Sequence, residues 1–311
     1  MSYIDLHMHS NYSDDGEFSP REIVELCRDK GLRYFAISDH NTIKGLAEAK
    51  EYCEDKEITM IPGIELDCTI DGVNLHLLGY GIDYKSDAFY EIEENIISQE
   101  KEASKKRVKL IRDLGIDFDD EVIEKLSKNG VVTGEIIAEA AMAFDKNQEN
   151  SLLKPYYEGG LRSDNPYVNF YWDFCSQGKS AYAEVKYISL QEAIRVILDN
   201  GGVPILAHPG NNVKEDKELL EKIIAAGIQG LEVYSSYHSE EQISFYRDFA
   251  IKNNLIITCG SDFHGKTKPS ISIGATKCEN DEEKIIEELK SRIVESYDKL
   301  YKENSYLVLQ D

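Results

Sequence analysis

At 311 residues, the chain has room for one large domain or two smaller ones, with enough core to need no disulfide or metal staple. Acidic residues outnumber basic ones 58 to 35, a net charge of −23, which excludes a bulk electrostatic grip on DNA or RNA. The six cysteines form no Cys-x-x-Cys pair, no apolar run approaches the roughly 20 residues of a membrane helix, and the first residues show no basic-then-apolar leader; the expectation is a cytoplasmic protein with reduced thiols.

Taken in chain order, Tyr3 to His9 predicts a strand. Pro20 to Lys30 predicts a helix, with Ser19 as its cap, Pro20 in the first turn and Gly31 at its end. Tyr34 to Ser38 is a strand, Thr42 to Asp55 a helix and Ile58 to Ile61 another strand. Ile64 to Ile70 and Val73 to Gly79 flank Asp71-Gly72, a favoured type I′ pair, and so predict a hairpin. Residues 85–187 change texture. Glu91 to Leu114, Val122 to Leu126 and Glu135 to Phe144 carry helical periods, while Asn165 to Ser180 reads as irregular and aromatic. The strand–helix rhythm then resumes. Leu190 to Asp199, Lys217 to Ala226, Glu240 to Asn253 and Glu282 to Val294 are helices, alternating with strands at Gly202 to Ala207, Leu231 to Tyr234 and Leu255 to Cys259. This alternation predicts an α/β protein built on parallel β–α units, a barrel or strongly wound sheet with its site at the carboxyl ends of the strands. Residues 1–84 and 188–311 form the barrel in this reading, and 85–187 a mainly helical insertion.

The seven histidines carry the chemistry. His7 and His9 lie two apart on a strand, so both face one side. Asp14 follows in the next loop, and His40 directly follows the strand ending at Ser38. In the hairpin, a two-residue turn sets Asp67 opposite His76 and Glu65 opposite Leu78, so Glu65, Asp67 and His76 share a face, with Glu65 and His76 as diagonal neighbours about 7–8 Å apart. His208, Asp262 and His264 follow later strands, as does His238. Every histidine thus sits at a strand end or on the hairpin. The ligand surplus suits two or three ions rather than one, and imidazole with carboxylate but no thiolate favours Mn, Fe or Zn. Such clusters suit phosphate-ester hydrolysis.

These motifs resemble those of the PHP (polymerase and histidinol phosphatase) superfamily. The resemblance rests on Asp5-Leu6-His7-Met8-His9-Ser10, Ser38-Asp39-His40-Asn41, Gly63-Ile64-Glu65, Ala207-His208-Pro209 and Ser261-Asp262-Phe263-His264-Gly265. It covers residues 1–84 and 188–276 with the motifs in order, and is nearest to small bacterial phosphoesterases that act on nucleotides, nucleoside 3′,5′-bisphosphates or short oligoribonucleotides. It implies a distorted seven-stranded β/α barrel with a trinuclear site. One ion would be held by His7, His9, Glu65 and Asp262; a second would share Glu65 and add His76 and His208; a third would take Asp14, His40 and His264. The chain departs from those relatives in two places. It reads Thr133-Gly134-Glu135-Ile136 where they carry Gly-Arg-Pro-His, and Asn211 where an arginine is frequent.

The function expected is hydrolysis of a small phosphomonoester, a nucleotide or nucleoside bisphosphate, by a metal-bridging hydroxide, with Asp262 or His264 moving the leaving group's proton. His238 and three cations of the insertion, Arg107, Arg162 and Lys179, are the expected substrate contacts, and the insertion is the expected lid. No double-stranded nucleic acid or membrane partner is expected. The alternatives are an exonuclease on short oligoribonucleotides, a non-catalytic metal-binding module, and a hydrolase of C–N or C–O bonds.

Overall fold

The computed structural model describes residues 2–53, 57–146, 148–278 and 280–308. Among these residues nine strands form: β1 (Ile4–Met8), β2 (Tyr34–Ile37), β3 (Thr59–Met60), β4 (Gly63–Ile70), β5 (Val73–Tyr80), β6 (Ile188–Ser189), β7 (Val203–Leu206), β8 (Gly230–Ser235) and β9 (Ile256–Gly260). They lie in two sheets, β1-β2-β3 and β6-β4-β5-β7-β8-β9. Backbone bonds at the carboxyl ends join the sheets twice. His9 N–H donates to Phe263 O at 2.9 Å and Asp262 N–H to His7 O at 2.8 Å, tying β1 to the end of β9. Asn41 N–H donates to Glu65 O at 2.8 Å and Glu65 N–H to Asp39 O at 3.1 Å, tying β2 to β4. With the two-residue β3 and β6 as appendages, the seven longer strands close into the expected distorted barrel.

The hairpin has the expected register. Ile70 pairs with Val73, Asp67 with His76 and Glu65 with Leu78. Asp71 and Gly72 both take positive φ, 49° and 78°, as a type I′ turn requires. Because of this hairpin the barrel is mixed rather than parallel, β5 running antiparallel to both β4 and β7. The helix at Pro20–Asp29 starts on a capping box of Ser19 and Glu22. The helix expected from Thr42 begins later, at Leu46–Cys53, and its expected last residues lie outside the described ones.

Leu6, Met8, Phe35, Ile37, Ile64, Leu66, Leu77 and Ile205 fill the barrel core. The insertion has a core of its own, around Ile111, Phe118, Ile137, Tyr156 and Phe170, while Phe89, near the start of its long first helix (Asp87–Asp113), packs on the barrel instead. The segment expected to be irregular is a helix over Pro166–Phe170 that continues as a wider π-turn over Tyr171–Cys175. Tyr167, Phe170, Tyr171 and Phe174 recur at helical spacing and pack in that core, a period hidden by the surrounding polar residues. The last helix runs over Glu282–Val308, past the expected end. No described helix is long and apolar enough to cross a membrane.

Candidate metal centre

Six of the seven histidines converge at the carboxyl mouth of the barrel. β1 brings His7 and His9, whose Nε2 atoms lie 3.1 Å apart. Each is 3.1 Å from Glu65 Oε2, and they lie 3.5 and 3.2 Å from Asp262 Oδ1. Glu65 reaches onward: Oε1 meets His76 Nδ1 at 3.0 Å and His208 Nε2 at 3.1 Å, and Oε2 lies 3.3 Å from His40 Nδ1. Glu65 is thus within 3.3 Å of five imidazoles and fully buried. The backbone cooperates. Gly260 lies so close to β1 that a Cβ there would collide with His7 Cβ and Glu232 Oε1. His208 and Asp262 adopt positive φ, 21° and 59°, the sparsely populated conformations that cluster where a side chain must be aimed.

The third expected group needs a correction. Asp15, not Asp14, meets His264, with Oδ2 3.1 Å from Nε2. Asp14 is in none of the candidate ligand sets among the described residues; it lines the neighbouring cavity, as Asp15 does too, and burial, Asp15 and Glu100 push its carboxyl up to about 7. Among the described residues, four sets of side chains bring possible ligand atoms within 4.8 Å of one another: His7, His9, Glu65 and Asp262; Glu65, His76 and His208; His9, Asp15, His40 and His264; and His40, Asp67 and His76. The last was not expected. Asn41 holds Asp67 in place by donating to its Oδ2 at 2.7 Å and accepting from its backbone N–H at 3.0 Å.

The residues fit divalent cations. Glu65 Oε2, Asp15 Oδ1, His40 Nδ1, His208 Nδ1 and His264 Nε2 are buried without a hydrogen-bond partner, an arrangement too costly to leave uncompensated. His264 Nδ1 donates to Asp262 O at 2.9 Å, so its other nitrogen turns a lone pair toward Asp15. Burial, His264 and His40 push His9 down to about 4, leaving it neutral. Burial opposes charge on Glu65, yet His7, His40 and His76 hold it well below the usual carboxylate range. Burial likewise opposes charge on His7, but Glu65, Glu232 and Asp262 lift it well above the ordinary imidazole range. The carboxylates therefore demand positive charge at the point where a cation would replace that proton.

Four supporting residues were not anticipated. Glu232 of β8 accepts from His7 Nδ1 at 2.9 Å and from the backbone N–H of His208 at 2.8 Å. Lys268 Nζ and Tyr237 Oη both donate to Asp262 Oδ2, at 2.6 and 2.5 Å. Ser13 Oγ accepts from His40 N–H at 2.8 Å and lies 3.1 Å from His9 Nδ1. With Asp262 Oδ2 taking two donors and Oδ1 turned to His7 and His9, Asp262 is disposed as a ligand, one of the two roles expected of it. His264 is disposed likewise.

Most of the expected substrate contacts lie elsewhere. His238 is fully buried; its Nδ1 donates to Val233 O at 2.8 Å and its Nε2 accepts from Gly210 N–H at 3.0 Å. With both nitrogens spent on backbone, it fixes the loop after His208 and has no atom for substrate. Arg162 pairs with Asp173 at 3.0 Å on the surface of the insertion, and Lys179 is exposed away from the cavity. Arg107 does line the cavity beside the cluster, but it donates to Val132 O and pairs with Glu100 at 3.1 Å. That cavity measures about 180 Å³, with His40, His76 and Asp67 on its barrel side and Trp172, Tyr171 and Tyr182 of the insertion facing them.

The chain is similar along most of its length to several known proteins. The chain is 27% identical to a 3′,5′-nucleoside bisphosphate phosphatase of Chromobacterium violaceum over 89% of its length and 92% of that protein. It is 25% identical to a phosphoribosyl 1,2-cyclic phosphate 1,2-diphosphodiesterase of Eggerthella lenta, covering 84% and 94%, and 27% identical to a 5′-3′ exoribonuclease of Haemophilus influenzae, covering 84% and 89%. Among solved structures, a Bifidobacterium adolescentis protein proposed to be a metal-dependent phosphoesterase superposes with a TM-score of 0.73 at 28% identity, covering 93% of this chain and 96% of that one. The PHP domain family matches residues 5–203, a span that carries the hairpin and four of the six clustered histidines, His7, His9, His40 and His76, and the chain belongs to that family.

Proposed function

We propose that this chain is a metal-dependent phosphoesterase that hydrolyses a small phosphomonoester at a site of two to three divalent ions, Mn, Fe or Zn. The carrying observation is Glu65, one buried carboxylate within 3.3 Å of five imidazoles, with Asp15 and Asp262 at the cluster's flanks. His7, His9, Glu65 and Asp262 would hold one ion, Glu65, His76 and His208 a second, and Asp15, His40, His9 and His264 a third. Bound ions of this kind supply Lewis acidity and an activated water near neutral pH.

The chain's own residues orient and enclose. Glu232 fixes the tautomer of His7, and Tyr237 and Lys268 keep Asp262 ionised. Lys268 lines the cavity with its Nζ donating to Asp262 Oδ2, a position beside the ligands that makes it our candidate donor to the leaving group. The insertion acts as a lid, a subdomain distinct from the barrel, because its aromatic residues form the wall opposite the cluster. The cavity of about 180 Å³ beside the cluster, walled on one side by the insertion, favours a small ester over a polynucleotide.

Elemental analysis of protein purified without chelator, combined with assay of p-nitrophenyl phosphate in Mn²⁺, tests the reading. More than one ion per chain and Mn²⁺-dependent turnover are expected. One ion or fewer in fully active protein would overturn the multi-ion site.

A further inference from the structure

The cavity wall contains more carboxyl groups than the metal cluster uses. Its two non-histidine cations are already engaged: Arg107 with Glu100 at 3.1 Å and Lys268 with Asp262 at 2.6 Å. On the same wall, Glu93 takes Lys44 at 2.8 Å. Asp14 and Glu135 also line it, and among the described residues neither forms an ion pair with a lysine or arginine. Glu135 is 8% exposed, held at the start of the helix Gly134–Phe144. Lys128 borders the adjoining hollow of about 60 Å³, but its Nζ is bound by the carbonyls of Ser13 and Gly16, both at 2.7 Å.

A substrate phosphate drawn to the metals therefore leaves the rest of the molecule among unpaired carboxylates and aromatic rings. A second phosphate, with about two negative charges at neutral pH, would be buried against the carboxyls of Asp14 and Glu135 with no free lysine or arginine among the described lining residues to meet it, and a buried charge without a partner is costly. A flat uncharged ring would meet Trp172, Tyr171 and Tyr182.

We propose that the insertion makes this site selective for an ester with a single phosphate and a ring-bearing leaving group without further negative charge, Glu135 being the residue that turns bisphosphates away. This rests on the phosphoesterase reading above. Glu135 sets specificity here and takes no part in bond breaking.

Trp172 is the chain's one tryptophan, so its fluorescence reports occupancy of the cavity independently of turnover. The test compares adenosine 5′-monophosphate with adenosine 3′,5′-bisphosphate in Mn²⁺, by Trp172 fluorescence titration and by initial rates, with p-nitrophenyl phosphate as a reference ester. The monophosphate is expected to bind at least tenfold more tightly and to show the higher kcat/KM. Glu135→Lys should narrow that gap at least threefold, and Glu135→Gln should narrow it less, with p-nitrophenyl phosphate turnover showing that each variant is folded. Equal or tighter binding of the bisphosphate, or no fluorescence response to either nucleotide, overturns the proposal. Absence of turnover of all three esters overturns the phosphoesterase reading instead, and the titration then still decides selectivity.

Discussion

Glu232 and His7 form a fully buried pair in which the carboxylate accepts the Nδ1 proton of the imidazole at 2.9 Å. That bond fixes the tautomer and turns the Nε2 lone pair toward His9, Glu65 and Asp262, as the outer partner of a ligand histidine does. The other oxygen of Glu232 accepts from the backbone N–H of His208, so one side chain sets two ligands on different strands.

Glu232→Gln separates these duties. The amide oxygen can serve only one of the two donors. If it keeps the His208 N–H, its NH₂ faces His7 Nδ1, and the proton of His7 moves to Nε2 where an ion should bind. Mn²⁺ affinity is expected to fall about 10–100-fold, measured by titration into metal-stripped protein. Affinity within twofold of the parent would show that Glu232 does not act through His7.

Adjacent carboxylates give a sharper test of the third group. Asp15 meets His264, whereas Asp14 enters none of the candidate ligand sets among the described residues. Asp15→Asn should lower metal content and turnover by an order of magnitude or more, because a neutral amide is a poor ligand for a hard cation. Asp14→Asn should keep the metal content of the parent. Elemental analysis of both variants decides it, and the reverse pattern would restore Asp14 as the ligand.

This pair also shows what a linear sequence conveys. Period-two alternation placed His7 with His9, and the Asp-Gly turn fixed the register that sets Glu65 beside His76, because both follow from backbone geometry. The choice between Asp14 and Asp15 depends on the path of a loop, which no local period encodes. Glu232 does carry a signal in the sequence: a carboxylate inside the apolar run Leu231 to Tyr234 is too costly to bury unless a partner waits for it. Lys268 and Tyr237 meet Asp262 from separate loops, a relation visible only after folding. Arg162 and Lys179 show the opposite error, since positive charge in the right segment says nothing about which way a side chain points.

His238→Ala should act on stability and leave substrate affinity nearly unchanged. The substitution strands Val233 O and Gly210 N–H in the interior and removes a ring stacked on Tyr246 at 5.1 Å. Each stranded group costs about 1–3 kcal/mol, so denaturant unfolding should show a loss of about 2 kcal/mol or more. The KM for p-nitrophenyl phosphate should stay within about twofold. A large rise in KM with unchanged stability would return His238 to the substrate.

The lid reading makes its own division among residues of the insertion. Trp172 lines the cavity opposite His40 and His76, whereas Arg162 is committed to Asp173 and Lys179 is exposed outside. A ring stacked on an aromatic side chain contributes about 1–3 kcal/mol. Trp172→Ala should therefore raise the KM for adenosine 5′-monophosphate by about tenfold, the equivalent of about 1.4 kcal/mol. The KM for glycerol phosphate, which has no ring to stack, should barely move. Arg162→Ala and Lys179→Ala should leave both KM values within about twofold. If Trp172→Ala raises the two KM values equally, its effect is on the metal cluster or the fold, and the insertion is not reading the leaving group. If Arg162→Ala or Lys179→Ala proves the damaging change, the substrate enters along the outer face of the insertion and not through the cavity beside the metals.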